Sequence, residues 1–285
     1  MKLSLRIRKA FFAIVAVSVL PGIAQADHGS CPCARSVRDD APEQIFEPAQ
    51  RAIIVWNGQV EQLILSTDLA SSAPSANKIA EFIPLPNKPE VSNESLDIFE
   101  RLAAIDPSSP ADWNAFVPRN PVGKLLGFGP IKQVETPQEL TATLGRLCRL
   151  HSAYVAPAGD IAERYHRRGI AWFATDQIEV QGDVHSYPPI VYEFASRHLY
   201  YPLETSILGS GRTQIDLLVI TPHGVKGLRP TNTPMTVMST FEVETASLGK
   251  VRADWPQLLG LETAIVQHIR MDGLLSEMQL DLLSD

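Results

Sequence analysis

The sequence predicts an α+β fold: an antiparallel, β-rich body of hairpins with helices packed on one face or end. Three observations predict it. The 22 prolines and 17 glycines are spread through many short interruptions, which suits short strands and turns better than a helical bundle. Two strand-like runs, RAIIVW and QVEQLILST, flank Asn57-Gly58, the strongest short-range hairpin signal a sequence offers. Between Tyr187 and Ile220, three further strand candidates follow one another.

The chain opens with a cationic start, Lys2, Arg6, Arg8 and Lys9, and an apolar run from Ala10 to Leu20. Pro21-Gly22 breaks that run, and Ala24-Gln25-Ala26 follows with a small-x-small pattern. Together they have the form of a secretory signal peptide over residues 1–26. The run is too short to cross the ~30 Å of a bilayer core as a helix. No later window is apolar enough to span, so no transmembrane segment is expected after cleavage. His28-Gly29-Ser30 before Cys31 is not a lipoprotein signal, and Ile7 separates Arg6 from Arg8, so no twin-arginine pair exists. Residues 27–285 form the expected mature region, periplasmic or secreted. It is one large domain or two lobes with a boundary near 106–135; there, Asp106 to Pro121 holds four prolines in a loop that Trp113 and Phe116 mark as packed.

The elements follow in order. A two-residue turn at Asn57-Gly58 places Val55 opposite Val60 and Ile54 opposite Glu61. One hairpin face then gathers Ile53, Val55, Val60 and Ile64, and the other gathers Ile54, Trp56 and Leu63. In AEFIPLPNKPEV, from Ala80, Pro84 and Pro86 cannot donate to a ladder on their side, which confines the segment to a sheet edge or a polyproline-like run. A capped edge is favoured there over a strip for partner recognition. A helix is predicted over Ser92 to Ile105, capped by Ser92 or Asn93, with Leu96, Phe99 and Leu102 as its stripe. A second runs from the Thr136 cap to about His151, with Pro137 at its first position and Leu140, Leu144 and Leu147 on one face. A shorter helix spans about Asp160 to Arg168. The strand candidates are PIVYEF, with Ile190, Tyr192 and Phe194 on one face, then LYYPLETSIL, TQIDLLVI and MTVMSTFEVE. Two amphipathic helices, near Trp255 to Arg270 and Asp272 to Leu283, complete the expectation.

Several of these segments keep a common order: Cys31-Pro32-Cys33, QRAIIVWNGQVEQLILS, EFIPLPNKPEV, LDIFERL, YPPIVYEF, LYYPLETSIL and TQIDLLVITPHGV. In this the chain resembles the bacterial exported domain of unknown function 2330 family, over about Cys31 to Val225. The departure lies at the cysteines, which that family spaces more widely with glycines between. The resemblance implies export and a shared fold. It implies no activity and no catalytic residues.

The formal net charge is −7, and loss of residues 1–26 removes four cations and no acid. Such a surface repels polyanions, so nucleic acid is an unsuitable partner. Three cysteines, Cys31, Cys33 and Cys148, meet oxidising conditions outside the cytoplasm. The odd count leaves one thiol free, paired between chains or binding something. A Cys31–Cys33 bridge closes a very small ring, strained and readily reduced. His28, Cys31 and Cys33 offer soft ligands to copper(I) or zinc. A plain structural role is favoured over both: one of the pair bridges to Cys148, or Cys148 is core. Glu163 and His166 share a helix face, but a carboxylate-bridged metal centre needs two such pairs, so an ion-paired surface is favoured. His151, His185, His198 and His223 lack ligand spacing. Ser210 between Gly209 and Gly211 lacks the nucleophile elbow and the Lys-Ser/Thr ending of a phosphate loop. A hairpin turn explains it, and no cofactor is implied.

No acid, base and nucleophile set assembles in the sequence. The expected function is therefore a non-catalytic envelope or secreted binding module with a protein or glycan partner in the cell envelope. The alternative is a thiol-redox or metal-handling protein built on Cys31 and Cys33.

Overall fold

A computed structural model describes residues 31–32, 45–71, 77–105, 110–122, 131–148, 152–180, 182–208, 211–225, 234–278 and 280–284. The chain begins with β1 (Cys31–Pro32), β2 (Ile45–Trp56), β3 (Val60–Ser71), β4 (Asn77–Leu85) and β5 (Glu90–Asn93). Next come α1 (Asp97–Ala103), a 3-10 turn at Trp113–Phe116, β6 (Lys132–Val134), α2 (Pro137–Cys148) and α3 (Ser152–Arg167). Then follow β7 (Trp172–Val180), β8 (His185–Ser186), β9 (Ile190–Ala195), β10 (Leu199–Tyr201), a 3-10 turn at Glu204–Leu208 and β11 (Arg212–Thr221). The last elements are β12 (Met235–Glu244), α4 (Thr245–Leu248), α5 (Trp255–Leu259), β13 (Thr263–Leu274), a 3-10 turn at Leu275–Glu277 and β14 (Leu282–Ser284).

These strands build an eight-stranded sheet in the order β12-β13-β11-β2-β3-β9-β5, with β8 also on β3. A four-stranded sheet, β1-β4-β7-β6, and a β10-β14 pair complete the strand content. The fold is α+β, and its strand pairs are antiparallel except β2 with β11. The parallel pair sits at the centre of the large sheet, where both neighbours shield it.

Alternation of side chains sorts the large sheet into two apolar faces. Ala52, Ile54, Leu63, Leu65, Tyr192, Leu217, Val219 and Ile269 face the smaller sheet, together with Tyr200, Tyr201 and Leu282 of the β10-β14 pair. Ile53, Val55, Ile64, Val191, Leu218, Ile220 and Val266 face Phe99 of α1, Phe116, Leu248 of α4 and Trp255 of α5. On the far side of the smaller sheet, Phe82 and Phe173 pack on Leu140 and Leu144 of α2 and on Ile161 and Tyr165 of α3. The result is a helix–sheet–sheet–helix stack.

The hairpin is present with the expected faces, but its turn sits one residue further along. Trp56 pairs with Glu61 and Ile54 with Leu63, and the Asn57 amide donates to the Val60 carbonyl at 3.2 Å. Gly58 and Gln59 are thus the central pair, with φ +92° at Gly58 and a negative φ at Gln59. That is the glycine-first demand of a II′ turn, not the double-positive demand of I′. Asn57 instead uses its side chain, whose Oδ1 accepts from the Gln59 and Val60 amides at 2.9 and 2.8 Å.

Pro84 lies where expected. Among the described residues, β1 covers β4 only at Ile79 and Ala80, and the Glu81–Leu85 stretch has no strand on that side. Thr136 caps α2, its Oγ1 accepting from the Glu139 amide at 3.1 Å. Four expectations change. Of the strand expected over LYYPLETSIL, only Leu199–Tyr201 pairs, as β10, and Glu204–Leu208 forms a 3-10 turn. Ser92 and Asn93 belong to β5, paired with Val191 and Ile190, and helix begins only at Asp97. The helix expected from Asp160 begins at Ser152 and holds Pro157 inside it. The lost hydrogen bond is outweighed by Val155, Ala158 and Ile161 packing on either side of it. The largest change is at the C-terminus. α5 stops at Gly260, whose φ of +71° is left-handed, and the rest becomes β13, a 3-10 turn and β14. β13 is buried on both faces between β11 and β12. Its buried side chains run unbroken from Val266 to Ile269, polar Gln267 and His268 included, so the apolar residues do not mark the strand period, and Ile265, Val266 and Ile269 fall at helical spacing.

Two glycines give a test of opposite sign. Gly58→Val places a β-branched residue at positive φ and should lower stability by about 1 kcal/mol or more. Gly145→Ala, in α2 with open space around its Cβ position, should raise stability by about 0.4–1 kcal/mol. Urea unfolding of the two variants against the unmodified chain reads both.

Candidate functional site

The residues singled out in the sequence do not converge. Cys31 pairs through its backbone with Ala80, and Cys148 ends α2. Their side chains, and His28 and Cys33 altogether, lie outside the described residues, as do His151 and Ser210. Thiol pairing and metal binding at these positions therefore remain expectations. Among the described residues, no three His, Cys, Asp or Glu side chains are grouped to hold a metal ion. Glu163 accepts from Gln138 Nε2 at 2.8 Å and ties α3 to α2 at the surface. His185 Nδ1 lies 2.9 Å from the Asn120 carbonyl.

What the sequence did not disclose is a polar belt across the helix-facing side of the large sheet. Parity places Asp68 of β3, Arg51 of β2, Asp216 of β11, and His268 and Arg270 of β13 on that one face. Register makes the belt continuous: Arg51 lies opposite Asp216, and Asp216 opposite Arg270. Arg51 is 1% exposed. It donates to Asp68 Oδ1 at 2.6 Å and to Ser186 Oγ of β8 at 2.9 Å. Ser186 Oγ donates to Asp68 Oδ1 at 2.5 Å and accepts from the Arg119 amide at 2.6 Å. Burial lowers the proton affinity of the Arg51 guanidinium, and Asp68 opposes that effect.

At the other end of the belt, Asp216 is the hub. His268 Nε2 lies 2.6 Å from its Oδ1, Arg270 Nε donates to Oδ1 at 2.8 Å, and Gln214 Nε2 donates to Oδ2 at 2.6 Å. Burial pushes the Asp216 carboxyl up, but these three donors outweigh it and hold it below the ordinary range. The Asp112 amide donates to His268 Nδ1 at 3.4 Å, which puts the imidazole proton on Nε2, aimed at Asp216. Phe116 packs against the same ring with centroids 5.3 Å apart. Asp112 also accepts from Arg270 at 2.9 Å. The segment from residue 110 to 122 thus straps the belt at both ends, through Asp112 and Arg119.

The belt contains serine, histidine and aspartate, yet its arrangement is not that of a hydrolase. The Ser186 proton goes to a carboxylate, not to an imidazole, and both nitrogens of the fully buried His268 are committed. Nucleophilic catalysis needs a base within reach of the nucleophile and of solvent. Other polar clusters are equally closed. Tyr165 of α3 donates to Asp281 at 2.7 Å, and Asp281 also accepts from the Leu203 and Glu204 amides at 2.9 and 3.0 Å. Trp255 Nε1 donates to Gln62 Oε1 at 2.9 Å, while Gln62 Nε2 donates to Glu193 and Asp254. These bonds pin α3 and α5 to the sheets.

The sheet edges differ in a way that bears on function. β5 is four residues long and follows Pro89. The bare edge of β4 carries Pro84. β12 is ten residues long and holds no Pro, Lys or Arg. Val237 and Met238 are 48% and 44% exposed on it. A bulge interrupts it between Val237 and Ser239, after which it stays in register with β13 from Thr240 to Glu244. Among the described residues, β12 has no partner on its outer side. Edge strands are normally blunted by shortness, charge or proline, and β12 carries the bulge and, at its end, the exposed acids Glu242 and Glu244, with no charge from Met235 to Phe241.

No protein-family model matches the chain, and no curated protein or solved structure matches it significantly. No helix among the described residues is long and apolar enough to cross a membrane.

The belt predicts a large and non-additive energetic effect. Arg51→Met leaves buried Asp68 only the more distant, largely exposed Arg119, 3.8 Å from its Oδ2, and should cost about 3 kcal/mol in urea unfolding. Arg51→Met combined with Asp68→Leu should cost less than the single change, because an apolar pair leaves no buried charge behind.

Proposed function

We propose that this chain is an exported, non-catalytic binding module of the cell envelope or the secreted fraction. Its partner is an extended protein segment that adds a strand along β12. The observation that carries this reading is the β12 edge, long and uncharged through Met235 to Phe241, with two half-exposed apolar side chains. Strand addition supplies main-chain hydrogen bonds for affinity, and alternate side chains such as Val237 and Met238 supply selectivity. The leader-like residues 1–26 and the resemblance to an exported family support the location. The closed polar networks support the non-catalytic character, because the acids, bases and hydroxyls that sequence order left scattered are engaged with one another inside the fold.

Photo-cross-linking in the native envelope tests the reading. A probe at Thr240 should capture a discrete partner that a probe at Lys88 does not. The double change V237K/M238K should weaken capture roughly tenfold, about 1.4 kcal/mol of binding, while leaving urea stability within about 0.5 kcal/mol. Equal capture from both positions, or turnover of a thiol or ester substrate abolished by one point change, would sink it.

A further inference from the structure

The second half of β12 is chemically unlike the first, and its two faces differ from each other. From Ser239 to Glu244 the strand alternates strictly. Ser239 and Val243 are buried and Phe241 is half-buried, while Thr240, Glu242 and Glu244 are exposed. Register with β13 sets the faces. Phe241 lies opposite Val266 and Val243 opposite Ala264, both in the apolar cluster that faces α1, α4 and α5. Glu242 and Glu244, opposite Ile265 and Thr263, therefore project from the other face. No ion pair among the described residues involves either acid.

On the apolar face, a cavity of about 10 Å³ lies between β12 and the end of α1. Its floor includes buried Leu102, Val243 and Leu248, and its rim includes half-buried Ile105, Trp113 and Phe241. No charged residue lines it, and it has room for about one methyl-sized group. A strand added to β12 places a side chain across from Phe241 on this face, with Cβ atoms about 4.5–5.5 Å apart, next to that rim. The residues alternating with it point the other way, across from Glu242 and Glu244.

We propose that the segment received by β12 alternates basic and aliphatic residues. A Lys or Arg stands across from Glu242 and from Glu244, and an aliphatic residue across from Phe241 puts its methyl end into the cavity. This rests on β12 taking a strand at all, and adds which strand it takes. Opposite charges across a strand pair attract and like charges repel, so the two acids both reject acidic segments and select basic ones. The formal net charge of −7 favours the approach of such a segment. The same charges set aside a second copy of this chain as the occupant, because β12, MTVMSTFEVE, carries no cation to place across from them.

Fluorescence anisotropy of labelled peptides added to the purified chain, with hydrogen exchange of the β12 amides to locate them, tests this. Three peptides of the same length as β12 alternate Lys-Leu, Glu-Leu or Lys-Ser. The Lys-Leu peptide should bind at least about tenfold tighter than either of the others and should slow exchange along β12. Glu242→Lys with Glu244→Lys should reverse the charge preference, so that the Glu-Leu peptide binds better than the Lys-Leu peptide. Both acids are exposed, so the double change leaves the fold in place. If all three peptides protect β12 and bind alike, strand addition stands and the basic–aliphatic preference falls. If none protects β12, the preference falls together with strand addition. Binding of the Lys-Leu peptide that E242K/E244K leaves unchanged also overturns the proposal.

Discussion

The large sheet is covered on both faces, and most of the structure answers to that constraint. A sheet with one wet face can leave its polar side chains in water, whereas much of this one cannot. Each Asp, Arg, Ser or His buried within it needs a partner inside the protein. The belt from Ser186 through Arg51 to Arg270 is the outcome. It occupies the stretch of the helix-facing side that α1, α4 and α5 leave uncovered, and the 110–122 segment closes over it with two anchor points. The apolar stretch of the same face, around Ile53, Leu218 and Trp255, needs no such device and is simply packed.

This constraint also explains why Asp216, His268 and Ser186 are tied to their neighbours. They lie on one sheet face because cross-strand register brings them there, and burial then favours geometry in which each of the three side chains has a hydrogen-bond partner. A catalytic set requires the reverse: at least one group held short of satisfaction and open to a substrate.

Local signals in the sequence carried far and long-range ones did not. Asn57-Gly58 placed the hairpin and its faces, Thr136-Pro137 placed the start of α2, and Pro84 marked a bare edge, because each acts through its own backbone. The II′ geometry of the turn was out of reach, since it rests on the conformation of Gln59, which no composition rule sets. β13 was misread because buried Gln267 and His268 interrupt its apolar residues, while Ile265, Val266 and Ile269 fall at helical spacing. The belt was invisible for a further reason. Arg51, Asp68, Ser186, Asp216 and His268 are scattered through the chain, and only the pairing of β2 with β3 and β11 brings them into one row.

The position of β13 has a consequence for how this chain reaches its native state. β2 lies beside β11, with Arg51 paired to Asp216, 165 residues later, and β13 must then slot between β11 and β12. Neither face of the large sheet can close until the last few dozen residues arrive. Such topologies require the entropy of very long loops to be lost before any rewarding contact forms, and they assemble slowly. A polypeptide still emerging from its point of synthesis or passage therefore lacks a stable core, and folding becomes an event of the completed chain.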